Sequence, residues 1–121
     1  MKTISREKLE EILKNWQTNK FDECKTHEEA EKLFDALEEI PELPKDDPDS
    51  ILIEVLGKLE DLSAELVVKE DIPEILEFLK TPGGGELDAW EKWISYWGRI
   101  DFNMRQKNLK DNPYYSKLKI E

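Results

Sequence analysis

The chain has 121 residues, of which 38% are apolar and 39% charged, and this length leaves room for one hydrophobic core of ordinary domain size. Its net charge of −11 repels nucleic-acid phosphates and anionic lipid headgroups, and no apolar run approaches the ~20 residues that cross a bilayer, so neither nucleic acid nor a membrane is expected as a partner. A single cysteine cannot form an internal disulfide, and residues 1–11 lack the apolar segment of a signal peptide, so we expect a cytoplasmic protein.

Two amphipathic helices are predicted in the first 40 residues. Ser5 is expected to cap a helix that runs to about Gln17. Thr26 and Glu29 have the spacing of a capping box and predict the start of a second helix, which Pro41 ends. Apolar residues recur every three or four positions in both segments, namely Leu9, Ile12, Leu13 and Trp16 in the first and Ala30, Leu33, Phe34, Leu37 and Ile40 in the second.

An acidic loop and a long apolar helix are predicted next. Residues 41–49 contain three prolines and four acids, a composition that disfavours both helix and strand. Asp47 followed by Pro48 predicts the cap and the first residue of a third helix. This helix is the expected centre of the core, and its apolar stripe consists of Leu52, Val55, Leu56, Leu59, Leu62 and Leu66.

The next segments predict a short helix and a long aromatic one. Asp71 and Glu74 make a second capping box, and residues 81–85, with three consecutive glycines, predict a flexible turn. A fifth helix is expected from about Glu86 to beyond Phe102. Its helical period is carried by Leu87, Trp90, Ile94, Trp97 and Met104.

Together these elements predict an all-α protein with a single domain over residues 1–121. Asn112 before Pro113 adds one further helical turn, within a basic C-terminal tail of about residues 107–121. Residues that favour strands are scarce outside the amphipathic helices. Short connections between successive helices favour antiparallel neighbours, so the expected architecture is an antiparallel bundle of five or six helices.

Side chains that could support catalysis or bind a metal are scarce. The chain has one cysteine, Cys24, and one histidine, His27, too few ligands for a typical metal site. Adjacent acids such as Glu60 and Asp61 point about 100° apart on a helix, so they do not face each other as an acid–base pair. We therefore expect a protein that is not an enzyme and needs no cofactor or metal. An enzyme would require a pocket that gathers Cys24, His27 and a carboxylate.

Acidic side chains are concentrated in the middle of the chain. Residues 41–85 carry 12 acidic and 4 basic side chains, whereas residues 86–121 carry 6 and 7. Clustered like charge costs stability through self-repulsion, which indicates that the protein uses it. The predicted negative surface combines acids before the third helix with acids opposite its leucines, namely Glu42, Asp46 and Asp47 with Glu54, Asp61 and Glu65.

Aromatic residues at helical spacing usually belong to a core, and this is the expectation for Trp90 and Trp97. Tryptophan and tyrosine are also enriched at the energetic centres of interfaces. We therefore predict that exposed anchors for a partner come from Trp93, Tyr96, Tyr114 and Tyr115.

In size, helical pattern, acidity from Glu42 to Glu77 and lack of a catalytic constellation, the chain resembles the immunity proteins of bacterial toxin systems, which inhibit colicin-type and contact-dependent growth inhibition toxins. The resemblance implies a basic protein partner, a toxin and in many cases a nuclease domain, whose active site or substrate-binding cleft the acids would cover as phosphate mimics. Two alternatives remain open: a DNA-mimic inhibitor of a nuclease or restriction system, and a helical adaptor or regulatory subunit that docks a partner helix. Regular carboxylate spacing over most of the surface would favour the first, and an exposed apolar groove the second.

Overall fold

The computed structural model describes residues 5–37 and 42–116, and within those ranges the chain is helical and has no strand. The prediction of an all-α bundle is therefore confirmed. Ile40 and Pro41, and residues 117–121 of the basic tail, lie outside these ranges. The predicted continuation of the second helix to Pro41 is wrong, because this helix already ends at Asp35 and Leu37 is not helical. The helices are α1 (Arg6–Gln17), α2 (Glu23–Asp35), α3 (Pro48–Glu60), α4 (Ile72–Leu79), α5 (Glu86–Gly98), α6 (Phe102–Asn108) and the single turn α7 (Pro113–Ser116), with a 3-10 turn at Lys69–Asp71.

Side-chain caps define several helix starts. Ser5 accepts a hydrogen bond from the Lys8 backbone N–H at 3.1 Å, which confirms the predicted start of α1. Asp47 accepts one from the Asp49 backbone N–H at 2.9 Å and is followed by proline, which confirms the start of α3. Each cap satisfies a backbone donor that has no partner inside the helix.

The start of α2 differs from the prediction. Its cap is Asp22, whose carboxylate accepts from the Lys25 backbone N–H at 2.8 Å, so the predicted capping box at Thr26 and Glu29 is wrong. Thr26 lies fully buried one turn inside the helix, and its hydroxyl donates to the Asp22 carbonyl at 2.8 Å. A threonine hydroxyl can satisfy a carbonyl four residues earlier, so this residue fits a helix interior as well as a cap.

Helix α3 is the centre of the core, as predicted, and packs against α1, α2 and α4. It ends at Glu60, however, and does not reach Leu66. Residues 61–66 form turns in which Leu66 adopts a φ of 55°, a left-handed conformation that ends helices. Leu62 and Val67 are nevertheless fully buried, so the apolar pattern continues into the core without the helix.

Helix α5 is shorter than predicted. It ends at Gly98, and α6 begins after Asp101, whose carboxylate accepts from the Met104 backbone N–H at 3.0 Å. A single helix from Glu86 to beyond Phe102 is therefore wrong. The new cap at Asp101 supplies the start signal that makes two helices out of one apolar pattern.

Side-chain contacts between α3 and α5 follow the same order along both helices, so the two helices run in the same direction. Helix α4 packs against both of them. The contacts that define the pairing, in order along both helices, are Trp90 with Ser50, Trp93 with Glu54, and Trp97 with Lys58.

A buried carboxylate, Asp71, joins three parts of the fold. The residue has no exposed surface and accepts the Val68 backbone N–H at 3.0 Å. It also accepts the Tyr96 hydroxyl of α5 and the guanidinium of Arg105 of α6. The predicted capping box of Asp71 with Glu74 is wrong, because the Asp71 side chain caps the 3-10 turn and makes no cap bond to α4.

Candidate partner-binding surface

Residues 42–49, which lead into the first turn of α3, carry a dense group of acids and are called the acidic loop below. Glu42 and Asp46 are exposed, and Asp49 is half-buried in the first turn of α3. Asp47 is half-buried because it caps the helix. Lys45 is the only base in the loop, so the loop presents mainly negative charge.

Hydrogen bonds hold the acidic loop in place. The Asp47 backbone N–H donates to the Pro44 carbonyl at 3.0 Å, and the Ser50 hydroxyl donates to the Lys45 carbonyl at 3.2 Å. Ser50 in turn accepts the indole N–H of Trp90 at 3.0 Å. The Lys45 ammonium lies 5.5 Å from the centre of the Trp90 ring, within reach of a cation–π interaction. The acidic loop is thus tied to both α3 and α5.

Two of the predicted surface acids are engaged within the fold. Glu54 is half-buried and accepts the indole N–H of Trp93 at 2.9 Å. Glu65 is exposed but pairs with the Lys58 ammonium at 3.0 Å, and that ammonium also lies 4.3 Å from the centre of the Trp97 ring. These two carboxylates are therefore less available to a partner than the exposed acids of the loop.

Asp61 belongs to a second acidic group, at the other end of α3. It is exposed and adjoins Glu60, and His27 and Glu31 of α2 lie near this pair. Burial raises the pKa of Glu60, and the charge of Asp61 raises it further. A helix of 13 residues, rising about 1.5 Å per residue, separates this group from the acidic loop by roughly 20 Å. The predicted negative surface is thus divided into two regions.

Trp93 and Tyr115 belong to the core, so their interpretation as exposed anchors is wrong. Only 2% of Trp93 is exposed, and its ring stacks on Phe78 with 4.0 Å between ring centres. Only 3% of Tyr115 is exposed, and its hydroxyl donates to the Val67 carbonyl at 2.6 Å. Trp93 lies one helical turn before Trp97, so both side chains point to the buried face of α5.

Tyr96 and Tyr114 are half-buried and pack within the chain. Burial, followed by the hydrogen bond to Asp71, raises the pKa of Tyr96 to about 12. Burial also raises the pKa of Tyr114, whose ring meets those of Tyr115 and His27 edge to face. Contact of either tyrosine with a partner stays a prediction.

An exposed apolar strip lies on α5, where the sequence predicted core. Leu87 and Ile94 are 60% and 52% exposed, and they lie two turns apart on one side of the helix. Trp90 lies between them and is half-buried; these three residues are called the α5 strip below. Leu87, Trp90 and Ile94 have the same i, i+3, i+7 spacing as Trp90, Trp93 and Trp97, so spacing alone does not tell which set is buried.

A groove of about 330 Å³ lies between α4 and α5, on the other flank of α5. Phe78 and Trp93 contribute to its lining. Three carboxylates and two lysines also line it, and Glu77 pairs with Lys92 at 3.6 Å. The groove therefore carries charges of both signs, unlike the acidic loop.

Metal ligands do not converge in the part of the chain that the structure describes, which holds no group of three or more His, Cys, Asp or Glu side chains placed to bind an ion. Cys24 is exposed near the start of α2. Over the same ranges, no helix combines the length and the apolar character needed to cross a bilayer. Comparison with protein-family models, with curated protein sequences and with solved structures finds no match to this chain.

Proposed function

We propose that this chain is a small acidic binding protein, without enzymatic activity, that neutralises a basic protein partner. The acidic loop is the observation that carries the proposal, because its exposed carboxylates stand on a segment fixed to two helices. The partner we propose is a bacterial toxin, and in particular a nuclease domain. The chain would then act as an immunity protein that covers the active site or the substrate-binding cleft of that toxin.

Charge would supply the speed of capture. The chain carries a net charge of −11, and opposed charge fields can raise association rate constants to ~10⁸–10⁹ M⁻¹s⁻¹ at low salt. A fast encounter suits an inhibitor, which has to bind its toxin before the toxin reaches a substrate. Exposed carboxylates at both ends of α3 contribute to this negative field.

Order in the acidic loop would preserve affinity. Asp47 caps α3, and Ser50 connects the loop to Trp90 on α5. A segment that is already ordered loses less conformational entropy when it binds than a free loop does. The partner would therefore meet its carboxylates in a fixed arrangement.

A nuclease is the partner that fits this chemistry best. Nucleic-acid-binding clefts hold phosphates mainly through lysine and arginine side chains, and backbone phosphates dominate their affinity. Glu42 and Asp46 are exposed carboxylates that present negative oxygens of a similar kind. In this proposal they occupy phosphate positions, while the bulk of the helical bundle excludes the substrate.

The test is affinity capture with the tagged protein from a lysate of its native host, at low and at high salt, with mass spectrometry of the bound proteins. We expect stoichiometric recovery of a basic nuclease or toxin domain, with less capture at high salt. Recovery of acidic or neutral proteins alone, or of no protein at either salt concentration, would contradict the proposal.

A pair of charge-reversed variants locates the contact. Glu42→Lys with Asp46→Lys should lose the captured protein, because both side chains belong to the exposed part of the acidic loop. Glu7→Lys with Glu11→Lys changes the net charge equally on the exposed side of α1 and should retain it. Asp47 is left unchanged in both variants because it caps α3.

A further inference from the structure

The α5 strip is an apolar surface that the fold leaves uncovered. Leu87 and Ile94 expose more than half of their surface although α5 buries Trp93 and Trp97 on another side. A single exposed aliphatic residue is ordinary, whereas two on one side of a helix, beside a half-buried tryptophan, form a patch. Apolar patches with polar surroundings mark contact sites for other proteins.

The strip borders the acidic loop. Trp90 donates its indole N–H to Ser50 at 3.0 Å, and Ser50 donates to the Lys45 carbonyl at 3.2 Å. Two hydrogen bonds therefore lead from the middle of the strip to the loop backbone. The apolar patch therefore adjoins the acidic loop at Trp90.

Charged residues lie close to the strip in sequence and in space. Asp46 and Asp49 are four residues and one residue before Ser50, which accepts the Trp90 indole N–H, and Glu91 is exposed on α5 itself. The Lys45 ammonium also lies 5.5 Å from the centre of the Trp90 ring, so acids outnumber bases here by three to one. Glu91 is four residues after Leu87 and three before Ile94, so it lies alongside both. An apolar centre with a charged rim is the usual anatomy of a protein interface.

We propose that the α5 strip is the apolar anchor against which the basic partner packs, with the acidic loop as the charged rim of the same interface. This inference rests on the proposed function and specifies the surface that performs it. The partner is a basic protein surface whose exposed apolar side chains are ringed by lysine and arginine. An acidic rim attracts a partner surface that carries lysine and arginine.

A second copy of the chain fits this surface poorly. A two-fold contact places the same patch on both subunits, so the strip of one copy would face the strip of the other. Asp46, Asp49 and Glu91 would then approach the same acids of the second copy. Like charges placed opposite one another disfavour such a contact, whereas a basic rim attracts them.

The experiment uses two synthetic peptides of leucine and lysine, of about 18 residues or five helical turns, with the same composition. One has its leucines on a single helical face, and the other has them spread around the helix. Binding is followed by calorimetry and by the indole N–H signals of ¹⁵N-labelled protein, in which Trp90 reports on the strip and the fully buried Trp16 on the core. We expect the amphipathic peptide to bind about tenfold more tightly or better, and to shift Trp90 but not Trp16.

Matched variants decide which surface is used. Leu87→Ser with Ile94→Ser should weaken binding of the amphipathic peptide by about tenfold or more, because the variant removes the apolar area buried in the complex. Met104→Ser replaces a side chain on α6 that is 53% exposed, and it should change the affinity less than about twofold. All variants should keep the circular dichroism spectrum of the wild type.

Four results would overturn the inference. Equal binding of both peptides, or unchanged affinity in the Leu87 and Ile94 variant, would mean that charge alone binds the probe, and the proposed function would stand without this anchor. If sedimentation shows that the wild type is a dimer and that the Leu87 and Ile94 variant is a monomer, the strip is the contact between two copies of the chain. Failure of both peptides to bind would also remove the electrostatic support for the proposed function.

Discussion

Arg105 donates to both carboxylate oxygens of Asp71, at 2.8 and 3.2 Å, although Asp71 has no exposed surface. The same guanidinium donates to the Leu66 carbonyl at 3.0 Å, at the turn that follows α3. A buried carboxylate that loses its partner costs about 3–5 kcal/mol. The pair therefore fastens α6 to the centre of the bundle.

Replacing Arg105 by methionine should lower the free energy of unfolding by about 3 kcal/mol, because the Asp71 carboxylate would remain buried without the guanidinium. Adding Asp71→Asn to this variant should recover part of the loss, since the uncompensated charge is removed. Urea unfolding followed by circular dichroism measures both changes. Arg99→Met, at an exposed arginine after α5, is the control and should stay within about 0.5 kcal/mol of the wild type. Equal losses at the two arginines would argue against this role of Asp71.

Tyr96, which donates to Asp71 in the same network, should make the stability of the fold depend on pH in the alkaline range. Its pKa is about 12 in the folded chain and ~10 when unfolded, so the folded state binds the proton more tightly. The free energy of unfolding should consequently fall as the pH rises from about 10 to 12. Tyr96→Phe should weaken that fall and cost about 1 kcal/mol at neutral pH through the lost hydrogen bond to Asp71. Urea unfolding at several pH values measures both effects, and identical pH slopes in the two proteins would refute the first.

Glu60→Gln should stabilise the chain at pH 7 and have little effect near pH 3. Burial and the neighbouring Asp61 raise the pKa of Glu60, so the folded state is favoured while this carboxyl is protonated. That advantage is present below the ordinary value of 4.5 and is lost as the pH rises through the folded pKa. Glu42→Gln makes the same charge change on the exposed acidic loop and serves as the control. The prediction fails if both variants show the same difference between the two pH values.

Trp93 and Ile94 are neighbours in sequence, but their truncation should change the free energy of unfolding by very different amounts. Trp93→Ala should cost about 3–5 kcal/mol, because the side chain is buried and stacks on Phe78. Ile94→Ala should stay within about 0.5 kcal/mol of the wild type, because the side chain is 52% exposed. Thermal and urea unfolding measure both losses, and a loss at Ile94 as large as that at Trp93 would place the strip in the core.

Charge and apolar contact should affect different rate constants of partner binding. Glu42→Lys with Asp46→Lys should lower the association rate constant and flatten its dependence on salt, because these carboxylates are exposed. Leu87→Ser with Ile94→Ser should mainly raise the dissociation rate constant. Surface plasmon resonance with the captured partner at two salt concentrations measures both constants. An unchanged association rate in the loop variant would eliminate electrostatic steering.

Helix starts could be predicted from sequence where the cap is local. Ser5 and Asp47 act on backbone donors no more than three residues away, and Asn112 likewise accepts from the Tyr114 backbone N–H at 2.9 Å. The sequence does not distinguish Asp22 from Thr26 as the cap of α2, because the burial of Thr26 is visible only in the fold. Capping residues thus predict that a helix starts in a segment, but they do not decide between two candidate caps four residues apart.

The sequence does not predict which acids are bonded within the fold and which are exposed, because their partners are distant in sequence. The sequence predicts Asp71 as a cap, whereas its bonds to Tyr96 and Arg105 reach 25 and 34 residues along the chain. The sequence predicts Glu54 on the negative surface, whereas its partner Trp93 lies 39 residues away. The location of the acidic loop needed only composition, and for that reason it could be predicted.

Because the chain is synthesised from its N-terminus, Asp71 exists before its partner Arg105 does. Asp71 is synthesised 34 residues before its guanidinium partner, a delay of a few seconds at ~5–20 residues per second. During that interval helices α1, α2 and α3 can approach one another, but burial of Asp71 would leave its charge uncompensated. The nascent bundle should therefore stay open around Asp71, and closure of the fold becomes an event that follows synthesis of α6.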